Sequence, residues 1–244
     1  MSCLGKNNHT APVAENLAAG DGIGSPMDPT ITERLMQIAA EYCEHEGGCH
    51  GPDHTLRVHD LALQIGQVMG ANLEVLSAAA ILHDIGRRDE TISRGRVCHA
   101  LRGADLAREV LADLAFTPSL AEKVVHCIAT HRYRGKQVPE SLEAKILFDA
   151  DKLDSIGAIG IGRAFLFAGQ LGARLHNHNS VVEGTGAYTI EDTAYREFKV
   201  KMSKIKDRML TPLGKQLAAE RHEFMEIFFK RLESEINQAP GPGC

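Results

Sequence analysis

From residue 28 to about residue 237, apolar residues recur at three- and four-residue spacing in one segment after another. That spacing lines up one face of a helix, whereas a strand would need strict alternation. Ile31, Leu35, Ile38, Ala39 and Tyr42 form the first stripe, behind Asp28-Pro29, a capping residue followed by proline at the first helical position. Val58, Leu61, Ala62, Ile65, Val68 and Met69 form a second, with Asp53 as its expected cap. A third helix is expected over residues 73–84. A fourth carries Leu101, Ala104, Ala107, Val110, Leu111 and Leu114, and Pro118 opens a fifth. Residues 141–155 form a sixth, a Gly-rich seventh runs to about residue 172, and residues 174–188 read as a long polar loop. Helices resume near Thr189, and the last covers residues 211–237. No alternating run and no internal repeat is visible, so the expected fold class is all-α, a helical bundle around one core.

No interior stretch reads as a linker, which gives one helical domain over residues 28–238. Residues 1–27 lack a period and are expected to be a disordered tail, and Pro/Gly-rich residues 239–244 a loose one. Apolar residues make up 43% of the chain, enough for a sizeable core. The formal net charge of −5 gives no general reason to bind nucleic acid. It suits a small anionic substrate only where a metal supplies positive charge. Six cysteines at irregular spacing, without a CxxC, read as reduced thiols. Cys43, His45, Cys49 and His50 match no defensible zinc spacing. The N-terminus has no apolar signal core, and Arg163 interrupts the most hydrophobic stretch, residues 156–173, which reads as a buried helix. The expected location is cytoplasmic, with no membrane partner and an oligomeric state left open.

Chemistry concentrates in three places. His83-Asp84 follows Ala78-Ala79-Ala80-Ile81-Leu82 directly. Ionisable groups at the end of an apolar helix are costly unless they are exposed, paired or bound to a metal. Asp149, Asp151 and Asp154 follow Ile146-Leu147-Phe148, and on one continuous helix Leu147, Asp151, Asp154 and Ala158 would share a face. His54 lies in the first turn of the second helix. Each taken singly is compatible with a helix-end histidine or a satisfied carboxylate pair.

Together, the order His54, His83-Asp84, Asp151 on separate helices resembles the HD-domain superfamily of metal-dependent phosphohydrolases. The resemblance extends through residues 51–58, 80–86, His99-Ala100, Gly103-Ala104, Ala129-Thr130-His131 and 145–162. "DADKLD" followed by "IGAIGIGR" is similar to a small bacterial subgroup, and the likeness covers roughly residues 30–237. It implies that His54, His83, Asp84 and Asp151 ligate one divalent ion, with Mn, Co, Ni, Fe or Zn suited to the mixed imidazole–carboxylate set and Mg as a further candidate. Asp84 is the candidate to orient the attacking water, and Asp154 supports the ligand set and is grouped with Asp84 as catalytic. His99 and His131 are candidates for a second ion or for the pocket wall. Arg132 stands where many two-metal relatives carry another histidine, which favours one tight ion. Arg57, Arg87, Arg132 and Lys152, with His99 and His131, are the candidate substrate contacts. Glu90 occupies the neighbourhood where some relatives place a catalytic glutamate.

The implied reaction is hydrolysis of a nucleotide, for instance a triphosphate to monophosphate and pyrophosphate. The alternatives are a phosphodiesterase, a phosphomonoesterase, a non-catalytic metal- or ligand-sensing module, and a two-iron oxygenase of the same fold. Residues 157–162 carry glycines, but no strand precedes them, so they are read as helix packing rather than a nucleotide loop. His176 and His178 are read as surface-loop residues.

Overall fold

A computed structural model describes residues 26–43, 51–132, 137–177, 182 and 184–237. These form α1 (Pro29–Cys43), α2 (Pro52–Met69), α3 (Leu73–Leu82), α4 (Arg87–Ile92), α5 (His99–Asp113), α6 (Pro118–Thr130), α7 (Leu142–Leu153), α8 (Gly157–Gln170), α9 (Ala194–Val200) and α10 (Pro212–Ile236). Two 3-10 turns, Met202–Lys204 and Lys206–Arg208, lead into α10. The described residues contain no strand, and none of their helices is long and apolar enough to cross a membrane.

The architecture centres on α3. Every residue of α3 except Glu74 is buried, as expected for a helix apolar on all sides. It packs against α2, α6 and α7. Helices α5 and α6 pair on one side, and α10 lies across α7 and α8 on another. Side-chain caps fix several helix starts: Asn72 accepts from Val75 N–H, Thr117 from Leu120, Ser141 from Ala144, Thr193 from Arg196 and Thr211 from Gly214. Each such cap is worth about 1 kcal/mol.

Several details differ from the sequence expectation. Gly51 and Pro52 open α2, and Asp53 lies inside its first turn rather than capping it. Helix α3 stops at Leu82, so His83 and Asp84 sit in the turn that follows. Short α4 has no counterpart in the periodicity, because its six polar-rich residues bury no face. The helical signal after the polar loop begins at Ala194 rather than Thr189. Asp154 is the C-cap of α7, and Gly157 then takes a left-handed φ of 72°, so Ala158 belongs to a new helix and not to the Asp151 face. Helix α8 is buried on one side only: Gly160, Ile161, Ala164 and Ala168 face in, while Ile159, Leu166 and Phe167 are exposed. Met27, assigned to the tail, packs into the core. Residues 1–25 and 239–244 of the expected tails, the side chains of residues 43–50 and His178 lie outside the described residues.

Candidate metal centre

Helix ends converge on one buried point. His54 comes from the first turn of α2, His99 is the first residue of α5, and Asp151 lies in the last turn of α7. His83 caps the C-terminus of α3 and His131 that of α6. Asp84 follows His83 and sits among them. All six side chains are buried.

Each of the four histidines has its Nδ1 tied to an oxygen that can only accept. His83 Nδ1 donates to the Ala80 carbonyl and His131 Nδ1 to the Ile128 carbonyl, both at 2.7 Å. His54 Nδ1 donates to Asp154 Oδ2 at 2.7 Å, and His99 Nδ1 to Glu90 Oε2 at 2.5 Å. This fixes the tautomer of the neutral ring: the proton stays on Nδ1 and the Nε2 lone pair points inward. A core stabilised by hydrogen bonds would pair a donor with each inward acceptor. Here, with neutral rings, the inward atoms are acceptors facing acceptors.

They fall into two groups that share Asp84. His54 Nε2 is 3.3 Å from His83 Nε2, 3.6 Å from Asp84 Oδ2 and 3.5 Å from Asp151 Oδ1. His83 Nε2 is 3.4 Å from Asp84 Oδ2. Tetrahedral donors around one ion with bonds of about 2.0–2.2 Å lie roughly 3.3–3.6 Å apart, and these four distances fall in that range. In the second group, His99 Nε2 is 3.2 Å from His131 Nε2, and the two stand 3.5 and 3.6 Å from Asp84 Oδ1. Asp84 Oδ1 is buried and has no hydrogen-bond partner among the described residues. Both trios, His54–His83–Asp151 and Asp84–His99–His131, are compact enough to hold an ion.

Protons respond to this crowding. Burial presses the His54 imidazolium down, but the carboxylates of Asp151, Asp154 and Asp84 outweigh it and raise its pKa to about 10. A proton on His54 therefore supplies positive charge among these side chains. Burial pushes the Asp84 and Asp151 carboxyls up, and Arg87 and Lys152 respectively overcome it, holding both well below the usual range. His99 goes the other way, depressed to about 3 by burial and by Arg87, and burial also lowers His131. The second group is thus neutral at its imidazoles and acceptor-only, a pattern suited to a cation.

The expected substrate cations are all engaged. Arg87 Nε meets Asp84 Oδ2 at 2.5 Å, and Lys152 Nζ meets Asp151 Oδ2 at 2.5 Å. Arg57 Nε meets Asp154 Oδ1 at 2.6 Å. Arg132, expected to oppose a second cation, turns to Glu90 Oε1 at 2.6 Å and neutralises the residue that orients His99. Glu90 is spent on His99 and Arg132, which fits positioning better than proton abstraction. Asp154 is likewise committed: it accepts from His54, Arg57 and Arg163, the last at 2.6 Å. Its geometry is that of a positioning residue for His54, not of a group facing substrate.

Two contributors escape sequence reasoning. Arg163 reaches back from α8 to Asp154, and only its place in the Gly-rich motif hints at a role. Asp149 accepts from Leu210 N–H, Thr211 N–H and Thr211 Oγ1 at 2.6–2.8 Å, tying the start of α10 to the helix that carries Asp151. Its signal is the capping Thr211-Pro212 pair, 62 residues away in sequence.

Comparison with known proteins agrees with this geometry. The HD domain family profile matches residues 52–156. YpgQ of Bacillus subtilis is 36% identical over 213 residues, spanning 84% of this chain and 93% of YpgQ. The crystal structure of Bacillus subtilis YpgQ in complex with ADP aligns with a TM-score of 0.66 at 30% identity, over 85% of this chain and 98% of that one. An HD-superfamily hydrolase from Bacillus thuringiensis aligns with a TM-score of 0.66 at 27% identity, over 86% and 98%. A helical fold, helix ends carrying His and His-Asp to one buried point, and a full-length relative lead to one conclusion: the chain belongs to the HD-domain superfamily of metal-dependent phosphohydrolases.

Proposed function

We propose that the chain hydrolyses a nucleotide, cleaving a nucleoside triphosphate to monophosphate and pyrophosphate, with one tightly held divalent ion at His54, His83, Asp84 and Asp151. The observation that carries the metal assignment is the convergence of His54 Nε2 and His83 Nε2, 3.3 Å apart, on two carboxylates. The nucleotide assignment rests on the likeness to YpgQ, which was crystallised with ADP. A bound divalent ion supplies a water acidified to a pKa of roughly 7–9 and offsets charge on phosphoryl oxygens.

The protein does the rest. Asp84 Oδ1, a buried acceptor without a hydrogen-bond partner among the described residues, orients the attacking water. Asp154 holds His54 in the tautomer that points Nε2 inward, and Arg57 and Arg163 keep Asp154 ionised. Arg87 and Lys152 line the same point and offer guanidinium and ammonium groups to phosphate oxygens. The acceptor-only trio of Asp84, His99 and His131 favours a second reading, in which a weaker second cation binds there.

A panel of nucleoside triphosphates, diphosphates and monophosphates with Mn, Co, Ni or Mg, analysed by anion-exchange chromatography, tests the reaction. Monophosphate and pyrophosphate as sole products support it; release of inorganic phosphate alone points to a phosphomonoesterase, and no turnover of any nucleotide contradicts it. Asp84→Ala is expected to abolish turnover and most metal uptake while helical circular dichroism persists. Full activity of the metal-replete variant contradicts the mechanism.

A further inference from the structure

Arg87 occupies the metal site's own ligand oxygen. Its Nε lies 2.5 Å from Asp84 Oδ2, the oxygen that stands 3.4 Å from His83 Nε2 and 3.6 Å from His54 Nε2. The other basic side chains paired here are placed differently. Lys152 takes Asp151 Oδ2 and leaves Oδ1 facing His54, while Arg57 and Arg132 bind Asp154 and Glu90. Among the described residues, Arg87 is the cation seated on an oxygen that the ion itself needs.

We propose that Arg87 is an exchangeable placeholder: it neutralises Asp84 in the metal-free protein and passes to a substrate phosphate once the ion is bound. This rests on the metal assignment made above and adds the residue that couples metal to substrate. Two like charges on one buried oxygen repel strongly at low dielectric, so the arriving ion weakens Arg87's hold on Asp84. A phosphate beside the ion offers Arg87 a bidentate acceptor in exchange, which suits a guanidinium fork.

The backbone makes this a side-chain movement. Gly86 packs so tightly on α5 that a Cβ there would stand 2.3 Å from the His99 carbonyl oxygen and 2.5 Å from Gly103 N. Arg87 N–H is also bonded to the Asp84 carbonyl at 3.0 Å. The Cα of Arg87 is therefore fixed beside the ligand set, and its long side chain, 19% exposed, carries the switch. By linkage, phosphate must tighten metal binding by the same factor as metal tightens phosphate binding.

Calorimetric titrations of Mn2+ alone, and of inorganic phosphate into Mn2+-loaded protein, test this on wild type, Arg87→Gln and Arg87→Lys. Arg87→Gln should bind Mn2+ roughly five-fold tighter, because the competing cation is gone. Its Mn2+-loaded form should bind phosphate roughly ten-fold or more weakly. Arg87→Lys keeps the charge without the fork and should bind Mn2+ like wild type and phosphate at intermediate strength; it carries the phosphate test if the glutamine variant fails to fold. Weaker Mn2+ binding by Arg87→Gln, or phosphate affinity unchanged in both variants, overturns the proposal while leaving the metal assignment standing. Wild-type protein that takes up no Mn2+ overturns the metal assignment and this proposal with it.

Discussion

Replacing Asp154 by asparagine separates a positioning role from a catalytic one. The carboxylate is 3% exposed and holds His54 Nδ1, Arg57 and Arg163 together. The asparagine side chain keeps the size but brings no charge, and its amide nitrogen faces guanidinium donors. Removing one partner of a buried ion pair costs about 3–5 kcal/mol. Arg57, 36% exposed, recovers part of its hydration, which lowers the expected net loss to about 2–3 kcal/mol. For a chain of this size that corresponds to a fall in melting temperature of roughly 5–10 °C. If His54 ligates the ion as proposed, losing the oxygen that orients it should weaken metal affinity about 10–100-fold. Thermal melts of the metal-free protein and Mn2+ titrations read the two effects separately. A melting temperature within about 2 °C of wild type, together with unchanged Mn2+ affinity, would show that Asp154 does not position His54. A raised KM with unchanged metal affinity would instead place Asp154 on the substrate side of the site.

Asp149→Ala strands the Leu210 and Thr211 amides and the Thr211 hydroxyl, and should cost about 3 kcal/mol or more; an unchanged denaturant midpoint contradicts that. Metal binding should release protons, because His54 has a pKa of about 10 in the metal-free protein and must be neutral to ligate. At pH 8, titrations in buffers of different ionisation enthalpy should give close to one proton released for the first ion and none for a second at the already neutral His99 and His131; zero release for the first ion contradicts the assignment. The same shift sets a stability window for the metal-free protein. A raised pKa favours the folded state while the group is protonated, so the contribution is complete below 6.5 and lost as pH rises through about 10. Wild-type metal-free protein that gains stability across that interval, or a loss that persists undiminished in His54→Gln, argues against it.

Apart from short α4, the order of the helices is legible because apolar spacing is a local signal and the core demands it. The site is legible only as a pattern: nothing local to His54 says that it meets Asp154 a hundred positions later. The structure brings the side chains of His54, His83, Asp84 and Asp151 close to one another. It also gathers His99 and His131 onto the other oxygen of Asp84, where sequence offers a second ion or a pocket wall and favours one tight ion. Arg132 makes a tertiary contact that sequence does not show. Its partner, Glu90, sits on α4, a helix too short and too polar to show in the periodicity. Asp154 reads as part of a continuous helical face because Gly157's left-handed turn is a conformational fact that composition does not reveal. Arg163 and Asp149 act across elements, so their roles emerge only when α8 and α10 are docked.

The central claim is that four side chains from three separate helical segments hold a divalent ion. Anomalous diffraction at the manganese edge from Mn2+-loaded crystals tests it directly. A strong peak is expected at a point bounded by His54 Nε2, His83 Nε2, Asp84 and Asp151, with any weaker peak between Asp84, His99 and His131. Manganese bound elsewhere, or no peak within reach of His54 and His83, would contradict it.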